Sequence, residues 1–244
     1  ELAAWVRHMG GQEIWDDIYD QFGVQGFLSG DTGTQAGGWF RNELTGVADV
    51  QGLRFRTPGL GGQVWEKLGA SVTNLAAGDI FAALQNGTLD AAEFVGPYND
   101  LALGFYQIAK NYYFPSFIEP GLATELVVDK AKYQELPQDL QELVKFVCQA
   151  EYDEVASDFA ANDPRALQTL VNDHGVTVRQ FPEEIMEAGA LAAKEILTDI
   201  RDNGDELTKR VAESYVEAFN IVRQKTDGTD SLFLRAREQY FTLD

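Results

Sequence analysis

The sequence predicts an α/β protein centred on a short parallel sheet, and residues 53–100 carry that expectation. They open on LRFRTP, an alternating run closed by a proline, with Leu53 and Phe55 on one face and Arg54 and Arg56 on the other. Two helical segments, QVWEKLGA and GDIFAALQNG, then alternate with SVTNL and TLDAAEFVG, which read as strands. A β-α-β-α-β order implies parallel pairing, because parallel neighbours need a crossover helix. Ligands in such sheets sit beyond the carboxyl ends of the strands, where Arg56 and Glu93 both fall. One basic and one acidic group thus converge on one edge. Gly59, Gly61 and Gly62 read as a flexible corner between the first strand and its helix.

Taken in order, the first residues, ELAAWVRHMGG, already look like a strand or helix edge and not like a signal peptide, so structure is expected upstream of them. Residues 11–23 place Ile14, Trp15, Ile18, Tyr19 and Phe22 at helical spacing, closed by Gly23. The glycine-rich run Gly30 to Gly38 lacks the GxxxxGK[ST] pattern, and no lysine occurs in residues 1–66, which argues against a phosphate loop. It reads either as a corner that lets Gln35 approach a small ligand or as a plain tight loop. The aromatics Phe105, Tyr106, Tyr112, Tyr113, Phe114 and Phe117 suit a core better than a ligand wall. Glu119 stands out as a carboxylate between Ile118 and Pro120. ATELVV alternates as a strand running through the molecule. A long amphipathic helix is expected over 139–161 and a second over 164–174, started by Pro164. VTVRQF (176–181) is a strand, two further helices follow, and LFLRAREQYFTL closes the chain.

Composition narrows the function classes. A chain of 244 residues, 45% hydrophobic and 11% aromatic, suits one large domain or two small lobes. Its 39 acidic against 19 basic residues give a net charge of −20, which argues against nucleic acid. The acidic residues are scattered, as on a solvated surface. No apolar run reaches the ~18 residues of a membrane span. Cys148 is the only cysteine, so no internal disulfide forms, and its helical context reads as core. Neither GxSxG nor HExxH is present, and His8 and His174 are the only histidines, the latter in a helix-ending NDHGV turn. Glu93 and Glu119 would make a glycosidase-like pair at about 5–9 Å, although an arginine beside them suits anion binding better. A ligand-sensing signalling module would use the same elements.

Several long stretches together carry a family resemblance. TGTQAGGWFRNEL, GLRFRTPGLGGQVWEKLGAS, IFAALQNGTLDAAEFVGPYNDLALGFYQIAKNYYFPSFIEPG and ELVVDKAKYQELPQDLQELV match in order over nearly the whole chain. The chain resembles the solute-binding protein of a tripartite ATP-independent periplasmic (TRAP) transporter, DctP-type, in the branch that binds 2-oxo and 2-hydroxy acids. The resemblance implies a two-lobed, periplasmic binding protein-like α/β fold with long C-terminal helices. Residues 1–95 and 124–181 would form mainly one lobe, 96–123 part of the other, and 182–244 the helices spanning them. Relatives carry a signal peptide and roughly one more half-lobe before WVRHMGGQEIW, so that N-terminal part would lie outside this chain.

The implied function is non-catalytic capture of a small monocarboxylate such as pyruvate or lactate in the periplasm, and its delivery to the TRAP membrane permease. The implied substrate-binding residues are Arg56, Gln35, Phe94 and Glu93. The implied metal ligands are Gln35, Glu93, the Phe94 carbonyl and Glu119. Where relatives commonly place tryptophan after that glutamate, this chain has Phe94, a change a main-chain ligand tolerates more readily than pocket shape does. Such an all-oxygen set selects hard cations such as Na⁺ or Ca²⁺, and the arginine fork suits a carboxylate. Some relatives dimerise through a C-terminal helix. A homodimer is therefore one expectation for the helix near 205–226, and packing along its own lobes the other.

Overall fold

The alternating runs become strands and the periodic runs helices in a computed structural model that describes residues 1–119 and 121–240. In chain order the first elements are α1 (Leu2–His8), α2 (Gly11–Asp20), β1 (Val24–Asp31), β2 (Gly38–Phe40), β3 (Arg54–Arg56), α3 (Gly59–Lys67), β4 (Ser71–Thr73) and α4 (Ala77–Gln85). Then come β5 (Ala91–Ala92), α5 (Pro97–Leu103), β6 (Asn111–Tyr113), β7 (Ala123–Asp129), α6 (Lys130–Gln134) and α7 (Gln138–Asn172). The chain continues through β8 (Thr177–Arg179), α8 (Glu183–Asn203), α9 (Glu206–Lys225) and α10 (Ser231–Tyr240). It divides into two compact units, Ser29–Thr124 with Phe146–Ile196, and Glu1–Leu28 with Glu125–Lys145 and the residues from Leu197 onward.

The first of these units is built on a six-stranded sheet of order β4-β3-β5-β2-β6-β8. Strand β3 runs parallel to both β4 and β5, as the β-α-β-α-β order requires. Strand β2 then pairs antiparallel with β5 and β6, and β6 runs parallel to β8. Period-two alternation along these strands sorts the core into two layers. On one face Trp39 stacks on Tyr112 at 4.0 Å, over Ile80, Leu84, Phe105 and Leu170, all fully buried. On the other, Phe40, Phe55, Tyr113 and Phe181 form a continuous aromatic cluster, with ring centroids 4.6 Å apart for Tyr113 and Phe181. The second unit joins its first helices to α9, where Trp5 donates from Nε1 to Ser214 Oγ at 3.0 Å and Arg210 pairs with Asp17.

Several expectations need correcting. Gly61 and Gly62 are not a corner but part of α3. A Cβ on Gly62 would lie 3.1 Å from the Thr57 carbonyl oxygen and from Val72, so the glycine permits a close helix–strand approach. The two helices expected over 139–174 are one, with Pro164 inside α7. A single proline removes one backbone donor, and the flanking turns remain helical across that loss. The expected strand over ATELVV is present as β7, with Glu125, Leu126 and Val127 exposed. The boundaries between the compact units fall within β1, β7, α7 and α8. The C-terminal stretch is helical as far as Tyr240. Residues 241–244, which end the expected closing segment, and Pro120 beside Glu119 lie outside the described residues.

Phe181 holds the second aromatic layer together, touching Phe40, Trp65, Tyr113 and Phe117 while only 5% exposed. Phe181→Ala should cost about 3–5 kcal/mol of stability, as removal of a buried aromatic does. Urea unfolding of the two proteins measures it, and a cost below about 1 kcal/mol would show that this cluster is not a packed core.

Candidate functional site

The sheet register places the two charged groups. Parallel pairing of β3 with β5 sets Arg56 opposite Ala92, so the next residue, Glu93, emerges at the strand end and its N–H donates to the Arg56 carbonyl at 2.8 Å. The Arg56 side chain turns back across this edge. Its Nη1 donates to the Glu93 main-chain oxygen at 2.6 Å, and its Nε donates to the Leu75 carbonyl at 3.0 Å. The Phe94 ring centroid lies 5.7 Å from the guanidinium carbon. Two of the five guanidinium N–H groups are thereby fixed, which orients the fork and leaves donors on Nη1 and Nη2.

The Glu93 carboxylate sits beside this cation without being satisfied by it. Oε2 is 3.6 Å from Arg56 Nη1, beyond hydrogen-bond length, and is buried with no hydrogen-bond partner among the described residues. Arg56 and Glu93 are 7% and 4% exposed. Burial, aided by Glu119 and opposed by Arg56, pushes the Glu93 carboxyl up to about 8. Glu119, half-buried, is also raised by burial against the pull of Arg56. Burial in turn lowers Arg56, while both carboxylates hold it up. The site therefore has two acids and one base within each other's field, and the acids bind protons more readily than usual.

Gln35 approaches from the loop after β1. Its main chain is pinned on both sides: Ser116 N donates to the Gln35 carbonyl and Ala36 N to the Val95 carbonyl, each at 2.8 Å. Ser116 Oγ also accepts from Glu119 N at 3.1 Å, so one serine ties the Gln35 loop to the Glu119 loop. A Cβ on Gly61 would lie 3.3 Å from Glu119 Oε2, and the glycine lets α3 pass close to that carboxylate. Gln35 is 1% exposed.

Among the described residues, no group of three or more His, Cys, Asp or Glu side chains has metal-holding geometry. A cation here would instead need mixed oxygen donors. The orphaned Glu93 Oε2, the Glu119 carboxylate, the Gln35 amide and the adjoining Phe94 carbonyl are chemically such a set, suited to a hard ion.

Direct contacts thus tie together Arg56, Glu93 and Phe94, while Glu119 joins them through its field and Gln35 through main-chain bonds. His8 lies in α1 of the other unit, Cys148 is buried, and His174 stacks on Tyr106 at 4.1 Å. Sequence reading missed the Leu75 carbonyl, which has no side-chain signature. It also missed Asp100, fully buried and accepting from Trp39 Nε1 at 2.9 Å and Tyr112 Oη at 3.0 Å. The only hint was an aspartate in the aromatic-rich GPYNDLALGFY.

Comparison with known proteins gives a consistent set of likenesses. Residues 3–203 match the family described as bacterial extracellular solute-binding protein, family 7. The chain is 39% identical over 185 residues to a monocarboxylate 2-oxoacid-binding periplasmic protein of Nostoc sp., covering 76% of this chain and 50% of that protein. It thus spans half the length of that relative. A TRAP periplasmic solute-binding protein from Pseudoalteromonas atlantica, with bound sodium and pyruvate, superposes at a TM-score of 0.90 with 35% identity. One from Colwellia psychrerythraea, with bound calcium and pyruvate, superposes at 0.90 with 37% identity. Each covers 95% of this chain and is itself 70% covered. The fold is that of TRAP periplasmic binding proteins.

The Glu93 environment predicts a pH effect on the cation-free protein. A carboxyl raised above its unfolded value contributes stability that is full below about pH 4.5 and lost as pH rises through about 8. Asp100, raised to about 7 by burial, acts with the same sign over a lower window. Melting temperature in chelated, sodium-free buffer should therefore fall between about pH 5 and pH 9, less steeply in Glu93→Gln than in the wild type. Parallel melting curves would show that Glu93 does not carry the shift.

Proposed function

The chain belongs to the DctP family of bacterial extracellular solute-binding proteins, family 7, and on that premise we propose that it captures a small 2-oxo or 2-hydroxy monocarboxylate, such as pyruvate or lactate, together with a bridging Na⁺ or Ca²⁺. The observation that carries the reading is the buried Arg56–Glu93 pair, in which the arginine is oriented by two carbonyls and the carboxylate retains an unpartnered oxygen. The remaining Nη1 and Nη2 donors of Arg56 receive the ligand carboxylate. Gln35, Glu93, the Phe94 carbonyl and Glu119 hold the cation, whose charge offsets the two protein carboxylates and the anionic ligand.

The roles differ in what they supply. Arg56 provides directional hydrogen bonds. The cation provides positive charge that a proton on Glu93 would otherwise have to supply. Phe94 closes one side of the guanidinium with its ring and offers its carbonyl. The protein works outside the cytoplasm, in the periplasm, as a carrier that releases its ligand unchanged to the TRAP membrane permease. The sodium–pyruvate and calcium–pyruvate pairs in the Pseudoalteromonas and Colwellia proteins support this choice of ligand and ion.

Calorimetric titration with pyruvate and its longer 2-oxo homologues tests the assignment. Arg56→Ala should lose about 2–5 kcal/mol of binding free energy, because a buried anion loses its hydrogen-bonded partner. Arg56→Lys should recover only part, since a point charge cannot reproduce the fork. Unchanged affinity in Arg56→Ala would remove the anion site from this residue.

A further inference from the structure

We propose that Thr32 decides which end of the Gln35 side-chain amide is offered to the cation, making Thr32 a positioning residue for the binding reading above, on which this inference rests. A side-chain amide has two ends of nearly the same shape and opposite chemistry: its oxygen binds a cation and its NH₂ repels one. A half-turn about the last side-chain bond exchanges them. For Gln35 the backbone is held at its own carbonyl by Ser116 N and one residue on by the Val95 carbonyl, so this half-turn is the freedom that matters.

Thr32 removes that freedom through its own hydrogen-bond accounting. The Thr32 hydroxyl is 3.3 Å from Gln35 Nε2, 3.1 Å from Leu122 N and 3.5 Å from the Gly33 carbonyl oxygen. A hydroxyl has one proton and two lone pairs. Leu122 N–H only donates, so it takes one lone pair. The Gly33 carbonyl only accepts, so it draws the proton. The remaining lone pair needs a donor, which the amide nitrogen supplies and the amide oxygen does not. A flipped amide would have to take the hydroxyl proton from the Gly33 carbonyl and would leave one lone pair unused, one hydrogen bond fewer than the observed arrangement. Thr32 is 4% exposed, its N–H is held by the Leu122 carbonyl at 3.0 Å, and its β-branched side chain is stiff. With nitrogen fixed on Thr32, oxygen is the end left for a cation. In a site with no other amide among its proposed ligands, a reversed Gln35 would replace an oxygen donor with two N–H groups.

The test compares cation binding in the absence of any organic acid, read by calorimetry with Ca²⁺ and by the Ca²⁺-induced rise in melting temperature. Thr32→Ser keeps the hydroxyl and should bind Ca²⁺ like the wild type. Thr32→Val keeps the shape without the hydroxyl and should bind about 10- to 100-fold more weakly, the range seen when a partner that orients a metal ligand is removed. In a Gln35→Glu background, which has no nitrogen end, the Thr32→Val effect should largely vanish. If Gln35→Ala alone binds Ca²⁺ normally, Gln35 is not a ligand and the binding reading itself fails at that residue. If Gln35→Ala is weakened and Thr32→Val is not, the positioning role is overturned while the binding reading stands. Should Thr32→Val not fold, proton NMR of the wild type decides: cross-relaxation between the Gln35 side-chain NH₂ and the Thr32 methyl supports the role, and its absence overturns it.

Discussion

Arg56 is committed to two main-chain carbonyls before any ligand arrives, and Glu93 is held beside it with one carboxylate oxygen unsatisfied. These two facts constrain each other. The carbonyl of Glu93 is what orients Arg56, so the guanidinium cannot swing toward the Glu93 carboxylate without giving up that bond. The pair is therefore adjacent at 3.6 Å without closing into a bidentate bridge. A buried pair of this kind is a poor source of stability, because desolvation of both charges opposes their attraction. On the proposed reading it is suited to binding, because an anion at the remaining Arg56 donors and a cation at the free Glu93 oxygen would complete it.

The rest of the unit serves that geometry. Parallel registers among β4, β3 and β5 bring Arg56, Thr73 and Ala92 to one level, so the segments that follow supply the Leu75 carbonyl and Glu93 from either side. The antiparallel β2 carries Trp39 opposite Ala92, and the loop leading into it carries Gln35. Below this, Asp100 draws Trp39, Tyr112 and, at 3.4 Å, the Val95 N–H onto one buried carboxylate, tying the segment that carries Glu93 to the aromatic layer. Two glycines of α3 let helix, strand and Glu119 loop approach closely. Packing, register and charge placement are in this sense one arrangement.

Much of this was legible in the sequence, and the reasons are specific. The β-α-β-α-β rhythm is local, and parallel pairing follows from it, so the pattern of residues alone puts Arg56 and Glu93 at strand ends. The aromatic core was legible in the density of aromatics between Phe105 and Phe117, whereas the short strand β6 that sends Tyr112 and Tyr113 to opposite faces was not. What was not legible depends on distant parts of the chain. The antiparallel β2 pairs with strands about 50 and 70 residues away, and no local period encodes that choice. Pro164 reads as a helix start because proline is favoured in the first turn of a helix, whereas the flanking turns continue α7 through it. The Leu75 carbonyl and the Thr32 hydroxyl matter through position, which residue type alone does not announce. Gln35 and Glu119 entered through family likeness more than through any pattern of their own.

The central claim is that a cation completes this site and makes anion binding beside two carboxylates favourable. The most direct measurement is titration of pyruvate into protein freed of metal by chelator and held in sodium-free potassium or choline buffer, repeated after adding Na⁺ or Ca²⁺. Without the cation, binding should be weak and should tighten as pH falls, since a proton on Glu93 then takes its place. With the cation, binding should be strong and should weaken in acid, as protons compete for the ligands. Full affinity in the metal-free, sodium-free buffer near neutral pH would contradict it and leave Arg56 as the principal anion site.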